Sequence, residues 1–406
     1  MARNVMWNTV GSIYYSLCQW LMTVIIVYLT SDYGVVGTLG IAMTVTNSFT
    51  TISSFGMRSY QVSDTSHQFK NEEYIMSRRI TAIVAFLLCA VYSLTVKDSW
   101  SEWFCIIIYM MLRIVESTED VYQGVLQSNW RFDLIGKSCI MRGSLQIILF
   151  VLGFYLTDSL IIAFSLMLLS NLLVFMIYDK RNVRIIANVQ KIKWSPRIIE
   201  LLKNCAGLVV YNFSYNSLAT VARVRLKSVL GGSLLGIYST VASPTVIVQL
   251  LAGVAFSPFL PFFSKAYNEK NEKSFRKYIK IMLLCYLMGF IVINIAGMLL
   301  GKWGLALLYN EEIAAYDELL LPLLWCTFFY ACAYLLASVM IAIRCIIPLI
   351  IGSIGTYLTN YVLSIVLIKY FGMNGASYSI AVSEVLFGIY LFMFIHFKAK
   401  NNFRVD

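Results

Sequence analysis

The sequence predicts an all-α polytopic membrane protein that crosses the bilayer about twelve times, and three observations carry that reading. Hydrophobic residues make up 59% of the 406 and charged residues 13%, with a mean hydropathy of +0.73, where a soluble domain carries roughly 25% charged residues. Apolar stretches recur along the whole chain, each close to the ~20 residues of helix that cross a hydrocarbon core. The gaps between them alternate in charge. Those holding Arg58 to Arg79, Arg131 to Arg142, Lys180 to Lys203 and Lys265 to Lys280 are rich in Lys and Arg, while those around Asp32, Asp98, Asp158 and Glu311 are short and poor in both.

The spans follow in order. The first six are predicted at approximately Thr9–Thr30, Gly34–Phe55, Ile80–Val96, Trp103–Leu126, Ser138–Thr157 and Ser159–Tyr178. The second six are predicted at approximately Cys205–Val224, Leu234–Phe259, Ile279–Leu300, Leu319–Ile343, Ile346–Ile368 and Gly375–Phe397. The fourth and seventh are the least apolar, because each contains charge. Cationic loops stay on the cytoplasmic side during insertion, so the basic gaps are read as inner loops and both termini as cytoplasmic. The first apolar run is long and has no small-residue cleavage site, so it is expected to remain as a helix.

The polar segment from about Asp179 to Lys203 is the longest, and it divides the chain into a six-helix lobe at 1–190, a cytoplasmic linker at 191–203 and a second lobe at 204–406. The halves share a faint pattern. Asp32-Tyr-Gly-Val-Val-Gly37 precedes a span closing at Phe55-Gly56 and a basic loop; Gly231-Gly-Ser-Leu-Leu-Gly236 precedes a span closing at Ser257-Pro258 and another basic loop. An even number of helices per half would relate such repeats by an axis along the membrane normal.

Several chemistries lack raw material. The net charge of +11 sits beside membrane ends rather than along one soluble face, so it implies topology and anionic headgroups, not nucleic acid. The nine cysteines form no CxxC pair, and His67 and His396 are the only histidines, so no metal site, cofactor or His-based catalysis is expected.

Polar residues inside the spans are the candidate functional groups, since the helix backbone already satisfies itself. The seventh span places Asn212, Asn216, Thr220, Arg223 and Lys227 three or four apart on one face, beside Tyr211 and Tyr215, with Arg225 near its outer end. The first repeats this with Asn4, Asn8, Ser12, Ser16 (with Tyr15), Gln19 and Thr23. The second carries Thr44, Thr46, Asn47, Ser48, Thr50, Thr51, Ser53 and Ser54, and the eighth Ser239, Thr240, Ser243, Thr245 and Gln249. Such matched faces read as the lining of a shared hydrated cavity; the alternative is hydrogen bonding to neighbouring helices or back to their own.

The main charge cluster lies on the fourth span: Arg113, Glu116, Glu119 and Asp120, then Gln123 and Gln127. Arg113 falls near mid-membrane, counting ~1.5 Å per residue from Ser101. It is either a site cation or one half of an i,i+3 pair with Glu116. Glu119 and Asp120 approach the inner headgroups and read as a solvated helix end. Arg223 and Arg225 are either site cations or interfacial snorkelers. Glu384 stands alone on the last span.

The arrangement resembles the Wzx-type polysaccharide flippases of O-antigen and capsule assembly, in the superfamily of multidrug, oligosaccharidyl-lipid and polysaccharide exporters. The likeness lies in Phe55-Gly56-Met-Arg58 followed by Asp64, the run Arg113-Ile-Val-Glu116-Ser-Thr-Glu119-Asp120 through Gln127 and Arg131, and Leu234-Leu-Gly236-Ile-Tyr238 with Phe259-Leu-Pro261. It continues in Leu308-Tyr309-Asn310 and in Phe371-Gly-Met-Asn374-Gly375. The chain departs from the family around Arg223 and Arg225, where relatives often show an acid beside a base.

The resemblance implies two six-helix lobes forming a V around a central cavity. It implies transfer of a polyprenyl-diphosphate-linked oligosaccharide across the bacterial cytoplasmic (inner) membrane, among membrane lipids and alongside other polysaccharide assembly proteins. The residue chemistry fits such a cargo. Arg113, Arg223 and Arg225 offer forked donors to a diphosphate. Asn47, Asn212, Tyr215, Asn216 and Gln249 suit sugars. Glu116, Asp120 and Glu384 are the candidates for coupling to a proton or sodium gradient. Two rival readings are a polytopic polymerase or lipid-linked glycosyltransferase, which the short outer loops disfavour, and a small-molecule antiporter of the same superfamily.

Overall fold

A computed structural model describes residues 2–64, 68–187, 194–246, 263, 265–267, 269–343 and 345–403. Among them there is no strand, and the elements are helices throughout. The chain forms two compact units, residues 1–216 and 217–406.

The first unit begins with α1 (Ala2–Leu29), α2 (Tyr33–Ser54), the short α3 (Met57–Ser63), α4 (Asn71–Val96) and α5 (Trp100–Ser128). It continues with α6 (Phe132–Thr157), α7 (Leu160–Val174), a π-helical turn (Phe175–Asp179) and α8 (Lys180–Ala187). Helix α9 (Arg197–Leu230) supplies its first part here and passes on into the second unit. The turns that open α2 and α5 are set by local polar chemistry. Asp32 caps α2 by accepting from the Gly34 amide at 2.7 Å, and Ser99 caps α5 by accepting from the Glu102 amide at 3.1 Å, each satisfying an otherwise orphan donor. At the C-terminal end of α2 Phe55 and Gly56 both take left-handed backbone, φ 50° and 64°, which separates α2 from α3, and Arg58 reaches α5.

Helices α1 and α6 are joined through bare backbone. A Cβ on Gly11 would lie 2.3 Å from the Gly136 carbonyl oxygen, and one on Gly136 would lie 2.1 Å from that of Trp7. Small residues allow such an approach where lipid offers no hydrophobic drive between helices. The lipid side is apolar instead: Ile83, Leu87, Val91 and Leu94 of α4 are exposed side chains on a membrane-length helix.

The second unit holds the remainder of α9, α10 (Gly232–Ala242) with a 3-10 turn (Ser243–Thr245), and α11 (Glu272–Leu308). The short α12 (Glu311–Ala314), α13 (Leu320–Ala342), α14 (Ile346–Phe371) and α15 (Met373–Phe403) complete it. Here Tyr238 of α10 bonds Ser377 of α15 at 3.0 Å, and Asn360 of α14 donates to the Leu218 carbonyl at 2.9 Å.

The chain is a multi-pass membrane protein. Among the described residues nine helices are long and apolar enough to cross a bilayer. The predicted spans without a counterpart in that set have physical explanations. The fourth (α5) and seventh (α9) are full-length helices that carry charge, and part of the eighth lies at 247–262, outside the described residues.

Candidate functional site

The interior of the first unit is charged. On α5, Arg113 donates from Nη1 to Glu116 Oε2 at 2.7 Å, so the pair one helical turn apart is formed. It is not isolated. The Tyr15 hydroxyl of α1 donates to Glu116 Oε1, Gln19 donates to Tyr15 at 2.9 Å, and the Arg113 guanidinium lies 5.4 Å from the Tyr109 ring. Tyr15 and Gln19 of the first span thus turn onto the fourth span inside the unit, whereas Ser12 and Ser16 are exposed.

One turn further along α5, Glu119 pairs with Arg142 of α6, and both are buried. The Arg142 guanidinium also lies 5.1 Å from the Tyr15 ring. Asp120 is gripped from two sides: Arg58 of α3 reaches Oδ1 at 2.9 Å, and Arg78 of α4 reaches Oδ2 at 3.1 Å. Arg58 further donates to Gln123 and Gln127, and Arg78 donates to the Ser53 carbonyl at 3.0 Å. Beyond these, Asp179 at the end of the π-turn accepts from Ser138 of α6 at 2.9 Å.

Two sequence expectations are corrected here. Glu119 is not a solvated helix end; it is 0% exposed because Arg142 of α6 meets it from across the bundle. Arg78 and Arg142 are not loop cations either. They are 0% and 4% exposed and lie within α4 and α6, where acids on α5 offset their desolvation. A signal for Arg142 was present, since Ser138, Arg142 and Gln146 recur every fourth residue on one helix face and all three are buried. Asp179 gave no such signal, because it stands at the edge of a polar linker in sequence.

The other candidates fall as follows. Asn47 is exposed on α2, whose hydroxyls are largely satisfied within their own helix: Thr44, Thr46, Thr50 and Thr51 donate to carbonyls three or four residues back. These four bond locally, while Ser53 of the same run bonds Ser117 of α5. Phe49 of α2 packs against Phe213 of α9 at 5.8 Å, and Asn212 and Asn216 of α9 are half-buried. Tyr215 is buried and stacks on Tyr211 at 5.6 Å. In the second unit Arg223 is half-buried and Arg225 exposed, and Glu384 is buried within electrostatic reach of Tyr330 and Cys326. On the eighth span Ser243 bonds the Tyr309 hydroxyl at 2.8 Å and Thr245 accepts from Thr327 at 3.1 Å. Gln249 lies outside the described residues.

The roles of the clamping arginines separate by burial. Arg78→Ala is expected to lower stability by about 1–3 kcal/mol, since it removes charge-assisted bonds made by a fully buried group. Arg58→Ala should cost less, because the Arg58 side chain is 30% exposed and water can replace its bonds. Thermal unfolding in detergent checks the order; equal effects would contradict it.

No family model matches the chain. Over 398 residues it is 24% identical to the capsular polysaccharide biosynthesis protein CapF of Staphylococcus aureus, covering 95% of this chain and 96% of that one. Among solved structures, an inward-facing multidrug resistance MATE family transporter of the MOP superfamily superposes with a TM-score of 0.75 at 11% identity, covering 99% of both chains. The lipid II flippase MurJ in its inward closed conformation gives 0.69 at 12% identity, over 96% of this chain and 87% of that one. The fold is therefore that of the MOP-superfamily transporters. The relative found by sequence is a polysaccharide biosynthesis protein, in line with the resemblance read from the motifs.

Proposed function

We propose that this chain is a flippase that moves a polyprenyl-diphosphate-linked oligosaccharide from the inner to the outer leaflet of a bacterial cytoplasmic membrane by alternating access. Its product would feed capsule, O-antigen or another surface polysaccharide. The observation that supports this most is the end-to-end similarity to a capsular polysaccharide biosynthesis protein in a chain with the fold of a lipid-linked precursor flippase. The charged interior of the first unit agrees with it, because a diphosphate head needs cations at membrane depth and Arg113, now paired with Glu116, would supply one. Arg223 and Arg225 are further candidates for the diphosphate. Asn47, Asn212, Tyr215, Asn216 and Gln249 are candidates for the sugars. The protein would act as a carrier and not as an enzyme, and it would need no cofactor beyond an ion gradient.

The direct test is reconstitution. Proteoliposomes holding a fluorescent, short-chain polyprenyl-diphosphate oligosaccharide are treated with an external pyrophosphatase. With the protein present, label from both leaflets should become accessible; in protein-free vesicles only the outer fraction should. Protection equal to that of the empty vesicles, from correctly folded protein, would overturn the reading. Efflux of cationic dyes instead would favour the multidrug function of the first solved relative described above.

Orientation is tested separately. Reporters fused after Lys203 and after Lys398 are expected to read as cytoplasmic, and one near Asp158 as external, because the Lys- and Arg-rich segments resist translocation. An external signal after Lys203 would refute the six-plus-six arrangement of lobes.

A further inference from the structure

Two buried acids in the first unit compete for one guanidinium. Glu119 of α5 and Asp179 of the π-turn are each 0% exposed, and Arg142 of α6 stands within electrostatic reach of both. Arg142 is bonded to Glu119. Asp179 has only the Ser138 hydroxyl on Oδ2, and its Oδ1 has no partner; neither has Glu119 Oε1. The two acids beside Glu119 on α5 already have cations of their own: Arg113 is bonded to Glu116, and Arg58 and Arg78 both reach Asp120.

Among the described residues no cation is bonded to Asp179, and Arg79 of α4 is engaged by Tyr122 instead. From α5 Asp179 is faced by Glu119, and Tyr122 lies nearby against Phe175 of the same turn. From α6 it meets Ser138, Cys139 and Arg142, and on its own turn Tyr178. On α8, Lys180 reaches back to Met176 and Arg184 interacts with Tyr122. A carboxylate buried without a cation takes up a proton instead of remaining charged.

We propose that Glu119 and Asp179 share one exchangeable proton through Arg142. With Arg142 on Glu119, the proton resides on Asp179. When the guanidinium swings to Asp179, that proton leaves Oδ1 and a proton is taken up on Glu119, so the triad keeps its charge throughout. Protonation is thereby tied to the packing of α5 and α6 against the π-turn, an irregularity of the kind often found at functional sites. This assigns the exchangeable proton to residues other than Glu116, Asp120 and Glu384, and it holds whatever the cargo.

The proton is countable by infrared spectroscopy of the full chain in lipid nanodiscs at mildly acidic pH, where a protonated carboxyl gives a carbonyl band distinct from that of a carboxylate. Wild type is expected to show one such band from this site. Asp179→Asn should abolish it, and so should Glu119→Gln, because either change leaves one acid for one guanidinium. Arg142→Met should raise it to two carboxyls. Glu116→Gln should leave it unchanged, and Ser138→Ala should shift its frequency by removing the bond to Asp179. A band that survives Glu119→Gln would refute the sharing. If Asp179→Asn does not fold, Glu119→Gln and Ser138→Ala decide the matter, and absence of the band in wild type overturns the proposal outright.

Discussion

Arg113→Ala is expected to abolish transport while the protein still reaches the membrane at normal levels. The guanidinium sits at the turn of α5 that the sequence places near mid-membrane, and its bonded partner Glu116 is also held by Tyr15. Losing the cation would therefore leave the acid anchored while removing the positive charge that a diphosphate requires. Arg113→Lys should recover part of the activity, since charge survives but the planar fork does not. A purely structural pair makes a different forecast. In that case Arg113→Ala combined with Glu116→Gln should restore activity, because no uncompensated charge remains and the amide oxygen still accepts from Tyr15 and Gln19. Glu116→Ala is the poorer partner for this experiment, as it would strand both donors. Recovery in the Arg113→Ala, Glu116→Gln protein would sink the binding role; continued loss at normal expression would support it.

The second large effect concerns folding. Gly136→Ala should destabilise the first unit by about 1–3 kcal/mol or more, the usual cost of overpacking. The added methyl would lie 2.1 Å from the Trp7 carbonyl oxygen and 2.9 Å from the Asn8 nitrogen. These are backbone atoms, so no side chain can rotate away and α1 must shift as a whole. That shift would also carry Tyr15 and Gln19 away from Glu116. Gly304→Ala is the internal control. It lies within α11 with nothing within 4 Å of the added carbon, and relief of glycine's backbone freedom should stabilise it by about 0.5–1 kcal/mol. Unfolding midpoints in detergent compare the two directly. Equal tolerance at both positions would mean that α1 and α6 are not in backbone contact.

The sites differ in how far sequence reasoning could reach them. The polar seventh span and the Arg113–Asp120 run were visible because unusual residues repeated at helical spacing within apolar surroundings. Arg58 and Arg78 were not, because a cation close to a loop has the same sequence appearance whether it faces water or turns inward to Asp120. Asn47 illustrates the opposite difficulty. It sits in a run of hydroxyl residues that looked like one functional face, yet four of those hydroxyls bond their own helix.

The class of this protein, the order and approximate bounds of its described helices, and the location of its most charged span follow from the sequence alone. Those properties are one-dimensional: they follow from how many consecutive residues are apolar and from the 3.6-residue repeat of a helix. Tertiary structure alone decided the pairings. Glu119 with Arg142, Asp120 with Arg58 and Arg78, and Asp179 with Ser138 each join residues 23 to 62 positions apart. Whether a charge at a helix end is solvated or buried depends on which neighbouring helix brings an opposite charge to it, and in a low-dielectric interior that neighbour determines whether burial is tolerable at all.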